Sequence, residues 1–236
     1  LIGNDLTFTS GEARFLSGDI TDKVVMSGGT VEGTGHIVTL TGGVEMSGGT
    51  LNLSGITAPA TASTLSVSGS AELMVRDLKV GDLDVEAGGT LSLTDGTVTV
   101  QNDLTCTGEL AIQDSQIVSE YFTMDSSGQL SFLLDEASDG NSFITANNGP
   151  TLDGTLSVDF TGMPIAGEET WTLISTDSSF SGDFANFEIL GINPTMVSFD
   201  QVSTGEGFTY NVTAIPEPTT MMLLALGGLS LLRRRR

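Results

Sequence analysis

A sequence repeat with a period of about 20 residues runs through the first two-thirds of this 236-residue chain. Each unit begins with an alternating triplet, apolar-x-apolar, and a glycine follows a few residues later. The repeat glycines are Gly11, Gly29, Gly49, Gly69, Gly89, Gly108 and Gly128. The triplets are residues 6–8, 24–26, 44–46, 65–67, 83–85, 104–106 and 122–124. Such regular spacing indicates a fold in which every unit repeats the same short elements.

Two further apolar segments follow the triplet in most units. The alternating segments after the glycine include 51–53, 91–93, 110–112 and 130–132, and the third patches include 37–40, 78–80, 98–100 and 117–118. Such short alternation is typical of half-buried strands, and Gly, Ser, Thr and Asp between them favour tight corners. Three short strands per unit fit one coil of a parallel β-helix, in which each strand pairs with its equivalent one coil above. About seven or eight coils would stack to roughly 35–40 Å.

Two other structures fit parts of this pattern. A disordered Gly/Ser/Thr-rich linker would account for the composition, and a compact β-sandwich would account for the short strands. The apolar residues keep their register over six steps, and no helical periodicity competes, which favours the β-helix.

Cys106 is the single cysteine, so no intramolecular disulfide can form. It occupies an apolar position of a triplet, and we expect it in the core.

The pattern changes from about residue 165. Longer apolar segments occupy 171–174, 184–190, 196–202 and 208–212, and five of the 11 phenylalanines and the single tryptophan lie here. Because a solenoid needs a cap over its open edge and core, we expect an aromatic-rich antiparallel cap. In its strand pattern this part resembles the segments that follow the β-helical regions of autotransporter-like surface proteins. We divide the chain into β-helix repeats (1–164), a β-rich cap (165–214) and a C-terminal tail (215–236).

The C-terminal tail has three parts. Pro216, Glu217 and Pro218 favour an extended segment, because prolines neither continue a helix nor donate ladder hydrogen bonds. Residues 219–232 are uncharged and mostly apolar, which predicts a short transmembrane helix. The chain ends in four arginines, Arg233, Arg234, Arg235 and Arg236. Arginines hold a helix end in the cytoplasm, which places everything before Pro216 outside.

These residues resemble the PEP-CTERM sorting signal of bacteria. The resemblance implies that an exosortase, a membrane protease-transpeptidase, cuts near Pro216, Glu217 and Pro218, and that residues 233–236 are the stop-transfer cluster. The apolar run is 14 residues long, about 21 Å of helix against a hydrocarbon core of about 30 Å, so snorkelling arginines and local thinning would cover part of the gap. An ordinary anchor that is never cut and a buried hairpin helix are the alternatives. An exported protein should carry a signal peptide, so a chain that opens at Leu1 is expected to be a fragment or already processed.

The charge balance excludes several kinds of partner. Four basic and 29 acidic residues precede Pro216, a net charge of −25. Such a surface has no cationic region to displace counterions, so we expect no binding of nucleic acid or anionic lipid. We expect solvated acidic faces, with at most weak calcium binding at acidic corners such as Asp95-Gly96 and residues 139–141. The calcium-binding nonapeptide repeat of other β-solenoids is absent from the sequence.

The sequence is poor in catalytic groups. His36 is the single histidine, at an expected corner, and no Gly-x-Ser-x-Gly nucleophile elbow is present. Many β-helix proteins act on polysaccharides, and the one basic cluster that fits such chemistry is Arg76 and Lys79 near Asp77 and Asp82. Paired carboxylates suited to glycoside hydrolysis also occur, at Asp82 with Asp84 and at Asp135 with Glu136. Carboxylate pairs arise by chance among 29 acids, so we predict that the protein is not an enzyme and needs no cofactor.

A further alternative is an ice- or surface-binding solenoid. Thr30, Thr50, Ser70 and Thr90 recur at the same point of successive units and would form a vertical ladder of hydroxyls on a β-helix. Flat threonine arrays can order water, although threonine also suits a solvent-facing strand for its own packing.

The sequence as a whole predicts an all-β fold: a right-handed parallel β-helix with a C-terminal β cap and one short transmembrane helix. Its predicted function is that of an exported envelope or matrix protein with a structural or adhesive role, sorted through its tail. The expected partners are an exosortase, the membrane before processing and extracellular polysaccharide. The expected location is the inner membrane first and then the envelope, outer surface or matrix.

Overall fold

The computed structural model describes residues 6–15, 18–20, 23–35, 38–134, 143–165 and 167–215. These residues form strands with one 3-10 helix, at Pro194–Met196, and no α-helix among them. The strands are β1 (Leu6–Phe8), β2 (Glu12–Phe15), β3 (Gly18–Ile20), β4 (Val24–Gly35), β5 (Val38–Leu40), β6 (Val44–Ile56), β7 (Ala60–Val75), β8 (Asp77–Val85), β9 (Thr90–Cys106), β10 (Glu109–Met124), β11 (Gln129–Leu133), β12 (Ile144–Ala146), β13 (Thr151–Leu152), β14 (Thr155–Asp159), β15 (Glu169–Thr176), β16 (Ser181–Gly182), β17 (Asn186–Leu190), β18 (Val197–Thr204) and β19 (Gly207–Ala214).

The strands stack as a parallel β-solenoid with three faces. Face 1 contains the sequence triplets, which pair in register from Leu6 through Val24, Val44, Leu65, Leu83 and Leu104 to Phe122. Face 2 contains the segments that follow the corner glycines, and it ends with β11, β14 and β17. Face 3 runs from β3 through β5 to β12 and the C-terminal half of β15. The predicted parallel β-helix is therefore confirmed.

The coils are of two lengths. Along face 1 the chain makes about 6 turns with about 20 residues per coil. The next two coils, from Thr123 to Thr151 and from Thr151 to Ser181, are about half as long again. The longer coils carry extra chain between faces 2 and 3.

The core is a column of apolar side chains along the solenoid axis. The first and third residues of each triplet from Val24 onward point inward and are at most 2 % exposed. Burying one such side chain stabilises the fold by about 1.5–3 kcal/mol. Cys106 is one of these core residues, as expected, and burial raises the pKa of its thiol to about 12. A neutral buried thiol acts as a small apolar side chain.

Glycine is required where successive coils approach each other at the first corner. Gly49 has a φ of +95°, a region that other residues rarely adopt. A Cβ placed there would lie 2.6 Å from the carbonyl oxygen of Gly29 in the neighbouring coil. Backbone conformation and stacking distance therefore both select glycine.

The C-terminal end is closed by an antiparallel extension of face 3. β15 pairs in parallel with β12 on one side and antiparallel with β19 on the other, and β19 also pairs antiparallel with β18. Tyr210 of β19 is 1 % exposed and packs edge-to-face against Phe180 and Phe184. Its hydroxyl donates to Asp183 Oδ1 at 2.7 Å. Aromatic side chains therefore cover the last coil, as the cap prediction required.

The predicted C-terminal helix begins at residue 219 and lies outside the described residues. Within the described ranges, no helix has the length and apolarity needed to cross a membrane.

We expect Gly49→Ala to destabilise the fold more than Gly88→Ala. Gly88 also has a positive φ, +81°, but a Cβ there meets no atom within 4 Å. The Gly88 variant should lose about 1–2 kcal/mol from backbone strain alone, and the Gly49 variant a further 1–3 kcal/mol, roughly, from overpacking. Urea unfolding of the full chain, followed by circular dichroism, measures both, and equal losses would contradict the stacking argument.

Tyr210→Phe should destabilise the cap by about 1 kcal/mol, because it removes the donor to the exposed Asp183 carboxylate and keeps the ring. Burial raises the pKa of Tyr210. The folded protein therefore keeps this proton when unfolded tyrosine ionises near pH 10, and stability should fall as the pH rises above 10. This loss of stability above pH 10 should be smaller in the Tyr210→Phe variant, which has no phenol to ionise at this position. Tyr121→Phe is the control, since Tyr121 is 51 % exposed; thermal melts from pH 7 to 11 test the pair.

Candidate functional site

The junction between the folded body and the C-terminal tail lies at the end of β19. β19 is the central strand of the cap, paired with β15 on one side and with β18 on the other. Ala214, its last residue, pairs with Glu169 and Val197 and is fully buried. The N–H of Ile215 then donates to the carbonyl oxygen of Met196 at 2.9 Å, although its side chain is 50 % exposed. The chain is thus held by the cap up to the residue before Pro216.

Side-chain contacts anchor β19 on both of its surfaces. Tyr210, Val212 and Ala214 point into the core and are at most 1 % exposed. On the outer surface the hydroxyls of Thr170 and Thr213 lie 2.8 Å apart, and the Thr172 hydroxyl donates to Asn211 Oδ1 at 2.9 Å. A force applied to the tail therefore acts on β19, and β19 cannot separate from β15 and β18 without exposing its core side chains.

The predicted sorting residues lie beyond this junction. Pro216, Glu217, Pro218 and the four arginines 233–236 are outside the described residues. Their assigned roles as recognition motif and stop-transfer cluster therefore stay predictions.

A second candidate site is a groove of about 350 Å³ on the outer surface of face 2, between β9 and β17. Three outward columns of residues build it, and each column has one residue per coil. The floor column is Ser92, Ala111, Ser131, Ser157 and Glu188. One wall contains Glu109 and Gln129, and the other contains Thr94, Gln113, Leu133, Asp159 and Leu190.

Hydrogen bonds fix part of the groove. The Glu109 carboxylate accepts from Ser131 Oγ at 3.2 Å and from Thr90 Oγ1 at 3.4 Å, and Gln129 Nε2 donates to Ser131 Oγ at 3.1 Å. Asp159 Oδ1 accepts from the N–H of Thr161 at 2.7 Å. The carboxylates of Glu109 and Asp159 are therefore positioned by neighbouring donors. Among the described residues, no lysine, arginine or histidine lines the groove.

The predicted enzyme candidates lie on one stretch of chain, from the corner between faces 2 and 3 to the start of face 1, and Asp77 lies two positions before Lys79 in β8. Arg76 is exposed at the corner between faces 2 and 3, and Lys79 is exposed on face 3, where it pairs with Thr61 and Thr99. Asp82 lies before face 1 and accepts from the N–H of Asp103 at 3.4 Å, while Asp84 lies on face 1 beside Ser66 and Thr105. No ion pair joins Arg76 or Lys79 to a carboxylate in the part of the chain that the structure describes.

Other predicted candidates fall outside the described part. His36, Asp135, Glu136 and residues 139–141 are not among the described residues. Within the described ranges, no group of three His, Cys, Asp or Glu side chains is arranged to hold a metal ion. Weak calcium binding at the acidic corners stays a prediction.

The predicted hydroxyl ladder is wrong. Thr30 pairs with Thr50, but Thr50 pairs with Glu72, while Ser70 pairs with Gly48 and Thr90. Two extra residues in the chain cause this shift. One lengthens the coil from Val44 to Leu65, and the other lies at the corner between Val67 and Glu72. The four hydroxyls therefore divide between two adjacent columns.

Sequence reasoning missed the groove, although a signal was present. Small residues recur at 92, 111 and 131, each with a larger polar or apolar residue two positions later. Without the register of the coils, that pattern cannot be distinguished from an ordinary solvent-facing strand.

Comparison with known proteins identifies the tail. A family model described as the PEP-CTERM protein-sorting motif matches residues 214–236. No curated protein and no solved structure matches the chain. The match begins at Ala214, the residue with which the cap ends. The chain therefore carries a PEP-CTERM protein-sorting motif, which implies an exported protein that an exosortase sorts through a membrane-associated intermediate.

Proposed function

We propose that this chain is a structural protein of the cell envelope or extracellular matrix, and that its body is not an enzyme. The observation that carries the proposal is the junction: the sorting motif begins in the last strand of a capped solenoid. The folded body therefore ends where its sorting signal starts. Such a protein is suited to transfer as one folded unit.

The solenoid supports a role as a stiff spacer with long exposed faces. Each strand inside the stack is hydrogen-bonded to the coils above and below, and one apolar core runs through them. Bending such a stack would strain many ladder hydrogen bonds together. Repeat proteins use extended faces of this kind for binding, so an adhesive role fits the same body.

Cleavage in the tail would end the membrane stage. In this proposal Pro216, Glu217 and Pro218 are read by the exosortase, and residues 233–236 keep the C-terminus in the cytoplasm until the cut. The body is then free, or attached to the envelope or to a glycan-rich matrix. Arg76 and Lys79 form no ion pair with a carboxylate in the described part of the chain, which is consistent with the proposed non-enzymatic role.

Glu217→Ala should leave the protein uncleaved and in the membrane fraction, because the change removes the one charged group between the two prolines. Glu206→Ala is the matched control, in the exposed turn of the cap hairpin. Both variants are expressed in a host with its own exosortase, and the mass of the mature protein is measured. Normal release of the Glu217 variant would refute the recognition role.

Inserting Gly-Ser-Gly-Ser between Ile215 and Pro216 should accelerate processing of the folded protein. A protease binds its substrate extended over several residues, and residues before Pro216 are held in β19 by two neighbouring strands. The same insertion after Gly205, where a Cβ would meet no atom within 4 Å, is the control. Pulse-chase labelling measures both rates; if they are equal, the cap does not restrict access to the motif.

A further inference from the structure

We propose that the groove on face 2 binds an extended, neutral glycan chain. Its floor column spans four coil steps from Ser92 to Glu188, about 19 Å at roughly 4.8 Å per step. The site requires exposure of the body outside the cell, but it does not require cleavage at residues 216–218. A released body and a membrane-anchored body would both present it.

The groove owes its shape to the sizes of the side chains in adjacent columns. The floor has small side chains at Ser92, Ala111, Ser131 and Ser157, so it lies low along its length. The walls have Glu109 and Gln129 on one side and Gln113, Leu133 and Asp159 on the other. Because each column adds one residue per coil, the depression follows the solenoid axis. An elongated ligand fits this depression better than a compact one.

Two hydroxyl groups of the groove lack protein partners. Ser157 lies in the floor and is 6 % exposed, and no hydrogen bond of its hydroxyl occurs among the described residues. Thr94 Oγ1, in the wall, is buried without a hydrogen-bond partner in the described part of the chain. The Ser157 hydroxyl is open to the groove, so a ligand that offers hydroxyl groups along its length can form a hydrogen bond with it, whereas Thr94 Oγ1 is closed to solvent and takes no part in binding.

The charge of the groove selects against anionic polymers. Glu109, Asp159 and Glu188 supply carboxylates, and among the described residues no cation balances them. Carboxylates accept hydrogen bonds, whereas the amides of Gln113 and Gln129 both donate and accept. A neutral glycan offers donors and acceptors on each sugar, so it matches this mixture. A purely cationic group would leave the donors unpaired.

The backbone of the groove selects against an extended peptide. A peptide strand binds by adding to a free sheet edge. β9, β10, β11 and β14 are each paired on both sides in face 2, so their ladder hydrogen bonds are already made. Among the described residues β17, at the end of the groove, has one unpaired edge, but a peptide added there would run parallel to β17 and across the groove axis. Along the rest of the groove only side chains are available, and half of the outward ones are polar and uncharged. We therefore argue for the glycan.

The test is affinity electrophoresis of the full chain in native gels that contain dextran, galactomannan, xyloglucan or soluble starch, with alginate as the anionic polymer. We expect at least one neutral polymer to retard the protein and alginate to have no effect. The double variant Gln113→Ala with Gln129→Ala should raise the dissociation constant about tenfold or more, through lost hydrogen bonds. The matched control, Gln101→Ala with Gln116→Ala, changes exposed glutamines of β9 and β10 outside the groove.

Circular dichroism melts confirm that both double variants are folded, and Ser157→Ala gives a second, smaller change in the floor. Retardation that the groove variants lose and the control keeps would support the site. No retardation by any neutral polymer, or equal retardation of all variants, would overturn the proposal. None of these outcomes depends on cleavage of the tail, so failure here is distinct from failure of the sorting proposal.

Discussion

The hydrogen-bond ladder between equivalent strands of successive coils sets the position of every other feature of the fold. The ladder brings each triplet directly above the previous one, and this places its two apolar side chains over the same core column. Close stacking then limits what the corners can contain. At Gly49 a single added carbon would meet the carbonyl oxygen of the neighbouring coil at 2.6 Å. The glycine spacing of the repeat is thus a consequence of the ladder.

Stacking of coils through the ladder also leaves an open end, which the cap covers. A stack of coils has an open end with a free edge and an exposed core. Here the last strand of face 3 extends into an antiparallel sheet, and Tyr210 and its aromatic neighbours close the end. β19, the strand that completes this closure, is also the strand from which the sorting tail leaves. Stability of the cap and presentation of the tail are therefore properties of one element.

Because the coils repeat, residues at the same position of successive coils form a column, and their side chains together determine the shape of that surface. One small residue per coil from Ser92 to Ser157 gives a low floor about 14 Å long, and larger residues on either side give its walls. The register of the coils also explains why the predicted ladder of hydroxyls does not form. Extra residues before Leu65 and after Val67 place Ser70 in a different column from Thr50. A binding face on a solenoid is thus decided by the register of every coil that contributes to it.

Residue patterns along the chain were enough to predict the fold class, the members of each triplet column, the burial of Cys106 and the identity of the tail. Alternation, period and a contiguous motif are local properties, so they can be recognised without the folded structure. The folded chain was needed to find the shift of register at Ser70, the two longer coils after Thr123, the contact between Tyr210 and Asp183, and the groove. Each of these depends on which distant residues lie side by side. That pairing is set by the lengths of the corners and by packing across coils, and residue spacing along the chain does not specify either.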